Sequence, residues 1–521
     1  MTWREQVVNQ SHPWVTLADE TIATYNNHDT YTTACIVQKL SALMLEHGQW
    51  EFYSNEVAPL IPAVLAMQAR GIPVDLGERT RVRRRLRAEV RAADHLVYDL
   101  AGQPYVDPYD GDRRGFNSNS DTQLRRWLFG GDRTVSEAGT PIEAAKGLKL
   151  PCLGLKPAGK TDTKLWSVDQ DNLLRVLRDL RKKDESTRPL LLALLHRSRF
   201  VKLDEYLEFN ATDKGDGPRI YPTVKMHGTK SMRFAYSDPA LHSWANEIRS
   251  VVTAPSGYTL CKGDFSQIEA RLAAYLPGDA LDIAVYERAG VPPYKHHPDW
   301  DIHSALVHQC FPDVRERWEG MTNTERELYR FHAKTVRYGT LMYGGAPETA
   351  KTKTFCPCGG GDWTPPWTRC EGQPPTLDLT NARKRAIVDA WMARHTAFTN
   401  WRRELLRPFQ GPHATHCLTN AMGWKRWFCT PYGPELEREI YAWSISSVAS
   451  IIKLRALRRL HEAGASVLFD HHDALVVLCP EADVEATKLT MTQCMTVPVP
   501  ELAGVSFPVD VGSGSNWGDL H

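Results

Sequence analysis

Lys262-Gly263-Asp264-Phe265-Ser266-Gln267-Ile268-Glu269-Ala270-Arg271 follows a short apolar strand at 258–260 and leads into an apolar helical pattern. An aspartate at such a strand end is well placed to meet a metal ion. Further on, Val467-Leu468-Phe469-Asp470-His471-His472-Asp473-Ala474-Leu475-Val476-Val477 sets two apolar arms around a polar centre. That is a hairpin pattern, with Asp473 near its tip. Two hard carboxylates on adjacent strand ends can hold a pair of Mg²⁺ ions, which stabilise the attacking and leaving oxygens of an in-line phosphoryl transfer. Taken singly, Asp264 reads as a helix cap and Asp473 as a turn residue. The rest of the chain decides between the two readings.

Between the aspartates, 325–343 reads as a helix carrying Arg330, Lys334 and Tyr338 at successive i,i+4 steps. That spacing puts two cations and a ring on one face. Such a face suits a triphosphate, with charge for its oxygens and a ring beside the sugar or base. Gly339 and Tyr343-Gly344 at its end argue for more than a solvated surface.

Outward from this core the chain is helical toward its start and α+β toward its end. Residues 1–76 read as helix, broken by Gly71-Ile72-Pro73. An amphipathic helix follows at 78–100, with Val82, Leu86, Val90 and Val97 on one face and Arg79, Arg81, Arg83, Arg84, Arg85, Arg87 and Arg91 around the remainder. Those arginines are either a solvated face or an arm that tracks phosphates. Residues 101–165 read as loops around one short helix near 122–129, and 173–207 as one further helix. From 221 onward strand-like pieces alternate with helices.

The composition is that of a globular protein: 521 residues, 42% hydrophobic and 24% charged, which excludes a disordered or fibrous chain. With 63 Lys+Arg against 62 Asp+Glu the net charge is +1, so nucleic-acid binding requires a local basic stripe. No run approaches the ~18 apolar residues of a membrane span. Met1-Thr2-Trp3-Arg4-Glu5 does not open a signal sequence, and eleven scattered Cys form no disulfide framework. The expected location is the cytoplasm.

These motifs together resemble family A DNA polymerases, the group of bacterial DNA polymerase I and its phage relatives. Asp264-Phe265-Ser266-Gln267-Ile268-Glu269-Ala270-Arg271 resembles the family's first palm motif, Arg330-x-x-x-Lys334-x-x-x-Tyr338-Gly339 its fingers helix, and His472-Asp473 its third motif. Arg233, Ser237-Asp238-Pro239-x-Leu241, Ile248-Arg249 and Ala254-Pro255 are similar to its template-primer contacts. Asp301-Ile302-His303 resembles the entry to the fingers, and Val511-Gly512-Ser513-Gly514-Ser515-Asn516-Trp517 the C-terminal tail. Phe116-Asn117, Gln123-Leu124 and Leu128-Phe129 resemble a thumb segment.

The resemblance implies an α+β right-hand fold with a largely helical thumb and fingers and an antiparallel palm sheet. Its division would be an N-terminal helical segment at 1–76, a thumb at 77–215, a palm at 216–280 and 430–521, and fingers at 281–429. It implies two Mg²⁺ ions on Asp264, Asp473 and the Phe265 carbonyl. Arg330 and Lys334 would grip the triphosphate of an incoming dNTP, with Lys334 able to protonate the leaving pyrophosphate. Tyr338 would lie beside the sugar and favour dideoxynucleotide acceptance. Glu269 would reject a 2′-hydroxyl, and Gln267 and Tyr343 would complete the nucleotide site. Arg233, Arg249, Arg271, His472 and Asn117 would meet primer-template DNA. The alternatives are a single-subunit RNA polymerase, against which Glu269 speaks, and a catalytically silent DNA-binding relative, against which the full set Asp264, Asp473, Arg330 and Lys334 speaks.

Several positions depart from the family pattern. Ala474 stands where a Glu commonly follows His-Asp, and Tyr441 and Ile445 stand where Asn and Gln are frequent. Five steps rather than four separate Tyr338 from Tyr343. Five residues turn an α-helix by about 500°, which takes Tyr343 off the common face unless a π-bulge absorbs one residue. Tyr25-x-x-x-Asp29 resembles the end of a 3′–5′ exonuclease domain, but no Asp-x-Glu precedes it. This chain is therefore expected not to proofread alone, and a separate exonuclease or processivity subunit is a candidate partner. Finally, Cys356-Pro357-Cys358 and Cys370 lie in a Gly- and Trp-rich insert at about 355–375. They could bind a structural Zn²⁺ if Cys310, His416, Cys417 or Cys429 supplied a fourth ligand, though a surface loop of reduced thiols is the simpler reading.

Overall fold

The computed structural model describes residues 19–109, 116–129, 152–157, 160, 165–178, 180, 186–288, 297, 299–346 and 381–520. In chain order its principal elements begin with α1 (Asp19–Glu46), α2 (Ile61–Arg70), α3 (Leu76–Ala101), α4 (Asp121–Phe129), α5 (Gln170–Arg178) and α6 (Arg188–Tyr206). β1 (Tyr258–Phe265), α7 (Ile268–Tyr275), α8 (Ala280–Arg288), α9 (Ile302–Cys310) and α10 (Asn323–Val336) follow. The chain continues through α11 (Asn381–Arg394), α12 (Thr396–Leu406), α13 (Pro434–Glu462), β2 (Ser466–His471), β3 (Ala474–Pro480), α14 (Val484–Met495) and β4 (Val509–Gly514).

The site is built on a four-stranded antiparallel sheet in the order β4-β1-β3-β2. β3 is buried along Ala474–Cys479, as its unbroken apolar run requires. β1 is longer than its apolar pattern predicted and runs through Asp264 to Phe265, because both its edges are paired. Gly263 lets α14 approach this strand: a Cβ there would lie 2.6 Å from the Met495 sulfur. Alternation then turns Lys262 and Asp264 to the opposite face.

α13 is apolar or small around most of its circumference and buries Ile445, Val448, Ile451, Ile452 and Leu457 in the main core, which also contains the sheet. A second core joins α3 through α6, with Leu128, Leu173 and Leu191 at its centre. α3 starts on the Asp75 side chain, which accepts from the Glu78 amide at 2.8 Å, and ends at Gly102 in the left-handed conformation. The single helix expected over 173–207 is two helices, α5 and α6, the second opening on Arg188-Pro189, a favoured helix start.

The arginines of α3 follow neither sequence reading fully. Arg83 and Arg87 both bind Asp204 of α6, at 2.7 and 3.1 Å, and Arg91 binds Asp107 at 2.7 Å. Arg79 donates to the Phe209 carbonyl and Arg85 to that of Glu247. Much of this charge therefore ties helices together.

α1, which carries Tyr25 and Asp29, buries none of its residues and exposes Tyr31, Val37, Leu40 and Leu45. No described helix is long and apolar enough to cross a membrane. The insert with Cys356, Cys358 and Cys370 lies outside the described residues.

Candidate active site

β1 and β3 bring the two aspartates together. Asp264 stands directly opposite Ala474, the residue after Asp473, and the Phe265 amide donates to the Asp473 carbonyl at 3.3 Å. Asp473 occupies the two-residue turn between β2 and β3, with His472 at φ 53°. Both carboxylates reach solvent, and each lies near a cation: Lys262 is 3.1 Å from Asp264, and Arg233 is 3.5 Å from Asp473. Two partly exposed carboxylates, one on β1 and one on the turn beside it, form a donor set suited to a hard divalent ion.

Arg233 links this pair to Glu269, which is 8% exposed on the first turn of α7. Its guanidinium lies 2.5 Å from Glu269 Oε1, and the other Glu269 oxygen accepts from the Tyr343 hydroxyl. Burial raises the Glu269 pKa, opposed by Arg233 and the Tyr343 hydrogen bond and reinforced by Asp473. Burial and the adjacent Glu269 raise that of Tyr343, so its hydroxyl stays protonated and donates. Burial would lower the Arg233 pKa, but Glu269 and Asp473 outweigh it and raise it.

Tyr343 reaches Glu269 because the helix changes type. α10 opens on a capping box between Thr322 and Glu325, runs α-helical to Val336, and continues as a π-helix over Arg337–Met342. The Tyr343 amide bonds the Tyr338 carbonyl at 3.1 Å, a five-residue step. The π-turn absorbs the extra residue, so the uniform α-helix expected over 325–343 gives way there. The two rings come within 6.4 Å, and Tyr338 is also 5.8 Å from the His303 ring. Gly344 follows with φ 68°, and a Cβ there would meet the Tyr441 ring at 2.8 Å. Tyr441 is itself buried beneath Arg402, whose guanidinium lies 3.8 Å from the ring centre, while Ile445 is core.

The remaining candidates are distributed unevenly. Arg330 binds Asp301 through two nitrogens, at 2.6 and 3.2 Å, while Asp301 also caps α9. Lys334 is exposed. Gln267, at φ 57° between β1 and α7, keeps a buried Oε1 without a hydrogen-bond partner among the described residues. Arg249 lies among Trp244, Trp517 and His471. Arg271 is 7% exposed and folds back on the Ser266 carbonyl and the Tyr286 ring. Asn117 sits near the start of α4, its amide held by Gln123.

Sequence reasoning missed two supports. Asp510 on β4 lies opposite Asp264, on the side away from Ala474, and accepts from Ser266 Oγ at 2.6 Å. Only the strand register reveals it. Buried Lys453 of α13 pairs with Asp470 and donates to the His472 carbonyl at 2.9 Å, bracing the turn before Asp473. Its available signal was a lone lysine in the otherwise uncharged stretch 440–454 of α13. Burial and the nearby His472 and Arg249 push His471 down to about 2, so it is neutral.

Residues 80–357, more than half the chain, match the sequence profile of DNA polymerase family A. The chain belongs to DNA polymerase family A. Relatives include the thermostable DNA polymerase I of Thermus caldophilus, 24% identical over 94% of this chain and 51% of that protein. DNA polymerase I of Synechocystis is 23% identical over 96% and 46%. The chain thus spans about half the length of the curated relatives it matches. Its fold is shared with the POL domain of Pol1 from M. smegmatis, solved in complex with DNA primer-template and dNTP, at a TM-score of 0.66 and 19% identity. That match covers 92% of this chain and 73% of the other. The right-hand polymerase fold is therefore that of this family A chain, and β4-β1-β3-β2 is its palm sheet.

Among the described residues, the cluster of three candidate metal ligands is Asp279, Asp282 and His395, away from the aspartate pair on β1 and the β2–β3 turn. His416, Cys417 and Cys429 belong to no such cluster among those residues.

Proposed function

We propose that this chain is a template-directed DNA polymerase that extends a primer 3′-OH with deoxynucleotides and releases pyrophosphate. The observation that carries the reading is the convergence of Asp264, Asp473, Arg233, Glu269 and Tyr343 at one end of the palm sheet. The residues present fit a pair of Mg²⁺ ions, with Asp264, Asp473 and the Phe265 carbonyl as protein ligands. Bound there, the metals would supply charge stabilisation to the attacking and leaving oxygens.

The chain's own side chains would do the positioning. Arg330 and Lys334 would orient the triphosphate, Arg330 exchanging its bond to Asp301 for phosphate oxygens. Tyr338 would flank the sugar and permit dideoxynucleotides. Glu269, held by Arg233 and Tyr343, would stand where a 2′-hydroxyl must fit, and Gln267 would offer its buried amide oxygen. Arg233, Arg249 and His472 would follow the primer-template, with Asn117 and Arg271 as further supports. The thumb would span 77–215, the palm 216–280 and 430–521, and the fingers 281–429. A separate exonuclease or processivity subunit, a phage or mobile-element source, a role in replication or repair, and zinc in the cysteine insert belong to the same reading.

The test is extension of a labelled primer on a DNA template with Mg²⁺, with dNTPs, with rNTPs and with no nucleotide. Growth with dNTPs that Asp264→Asn abolishes is the expected result. Growth with rNTPs would transfer the chain to RNA synthesis. Shortening of the primer without nucleotides would overturn the expectation that it does not proofread.

A further inference from the structure

The extra residue between Tyr338 and Tyr343 is taken up by a π-turn, a form that is rare and occurs mostly as single-turn bulges inside α-helices, frequently at functional sites. Beneath this one lies a set of buried charges that no catalytic role accounts for. Arg337, the first residue of the π-segment, is 1% exposed. Its guanidinium grips Asp282 of α8 at 2.5 and 3.5 Å and donates to the Ile302 carbonyl at 3.4 Å. It also lies 5.6 Å from the Trp391 ring centre.

Asp282 is held in turn. Its amide donates to Asp279 Oδ1 at 3.2 Å, and that oxygen meets His395 Nδ1 at 3.0 Å. The His395 ring stacks on Trp391 with centroids 3.9 Å apart and planes 11° off parallel. Its other nitrogen faces Gln309 of α9 at 3.4 Å. One network thus joins α8, α9, α11 and the junction before α12 to the residue beside Tyr338. The cluster has the look of a metal site by ligand type. The Arg337 cation already neutralises Asp282, however, and its fork fills the bidentate face of that carboxylate.

We infer that Arg337, Asp282, Asp279 and His395 form a positioning device that holds the fingers helix in its π-form, and thereby sets the contact of Tyr343 with Glu269 through which the sugar is selected. The part concerning the sugar rests on the polymerase reading; the part concerning the helix does not. An arginine is suited to the task because its fork fixes orientation as well as charge.

Two readouts separate the two parts. Hydrogen exchange of Arg337→Met and of the milder Asp282→Asn should show amides at 337–345 exchanging at least tenfold faster, with the first turns of α10 unchanged. Single-nucleotide incorporation should show the ratio of dNTP to rNTP kcat/KM falling at least tenfold, and Arg337→Lys should restore it partly. Deleting Thr340 returns Tyr338 and Tyr343 to a four-residue step, so Arg337→Met should then cost little selectivity. Unchanged exchange at 337–345 in both variants would overturn the inference. So would an equal selectivity loss with and without Thr340. Faster exchange in a chain whose parent incorporates no dNTP would uphold the device and refute the polymerase reading instead.

Discussion

Lys453→Met tests whether the turn bearing Asp473 depends on a buried ion pair. Lys453 and Asp470 are 2% and 4% exposed, and Lys453 also donates to the His472 carbonyl at 2.9 Å. Asp470 keeps another partner, the Tyr236 hydroxyl at 2.5 Å. Removing the cation strands a carboxylate in the core, for which the cost is about 3–5 kcal/mol. Neutralising the aspartate at the same time, in Lys453→Met/Asp470→Asn, preserves the shape and the Tyr236 contact. What remains is chiefly the lost bond to the His472 carbonyl, about 1 kcal/mol. The double variant should therefore recover about 2–4 kcal/mol relative to the single, by the difference of these two figures. Urea unfolding followed by tryptophan fluorescence measures the stability, and primer extension measures the effect on Asp473. A loss below about 1 kcal/mol in the single variant would refute the reasoning. So would a double variant no more stable than the single.

Three further outcomes follow from the same geometry. His332 is 1% exposed, and burial, with a smaller contribution from Lys384, lowers its pKa to about 4. The unfolded chain takes up that proton first, so stability is fully present above pH about 6.5 and falls by about 3 kcal/mol as pH drops to 4. His332→Leu should flatten that part of the urea-midpoint profile, and an unchanged profile would refute the assignment. Gly344→Ala forces a side chain into a left-handed residue and against Tyr441, which should cost about 1–3 kcal/mol and raise the KM for dNTPs; melting and steady-state incorporation measure both. Glu269→Ala should raise ribonucleotide incorporation at least about tenfold, equivalent to about 1.4 kcal/mol of discrimination, while Arg233 is left to Asp473 alone. Unaltered selectivity in this variant would remove Glu269 from the sugar site.

The elements of the palm were legible in the sequence because each writes its burial locally. Leu475–Cys479 is an unbroken apolar run, and the polar turn at His472-Asp473 interrupts two such runs. The i,i+4 spacing of Arg330, Lys334 and Tyr338 likewise follows from helix geometry alone. Those patterns carried the fold and the two aspartates. The five-residue step to Tyr343 was also visible, but its resolution was not. Whether the helix rotates Tyr343 away or forms a π-turn depends on Arg337 finding Asp282, 55 residues earlier, and on Glu269 accepting from the Tyr343 hydroxyl.

The same division holds for the arginines of α3. Their number and helical face belong to the sequence; their attachment to Asp204 requires α6 to pack alongside. Asp510 reaches Asp264 only through the β4–β1 register. Periodicity determines which face of each element is buried, because that depends on neighbours a few residues away. Which charges meet is decided by packing, because a buried ion pair joins residues whose separation along the chain carries no signal.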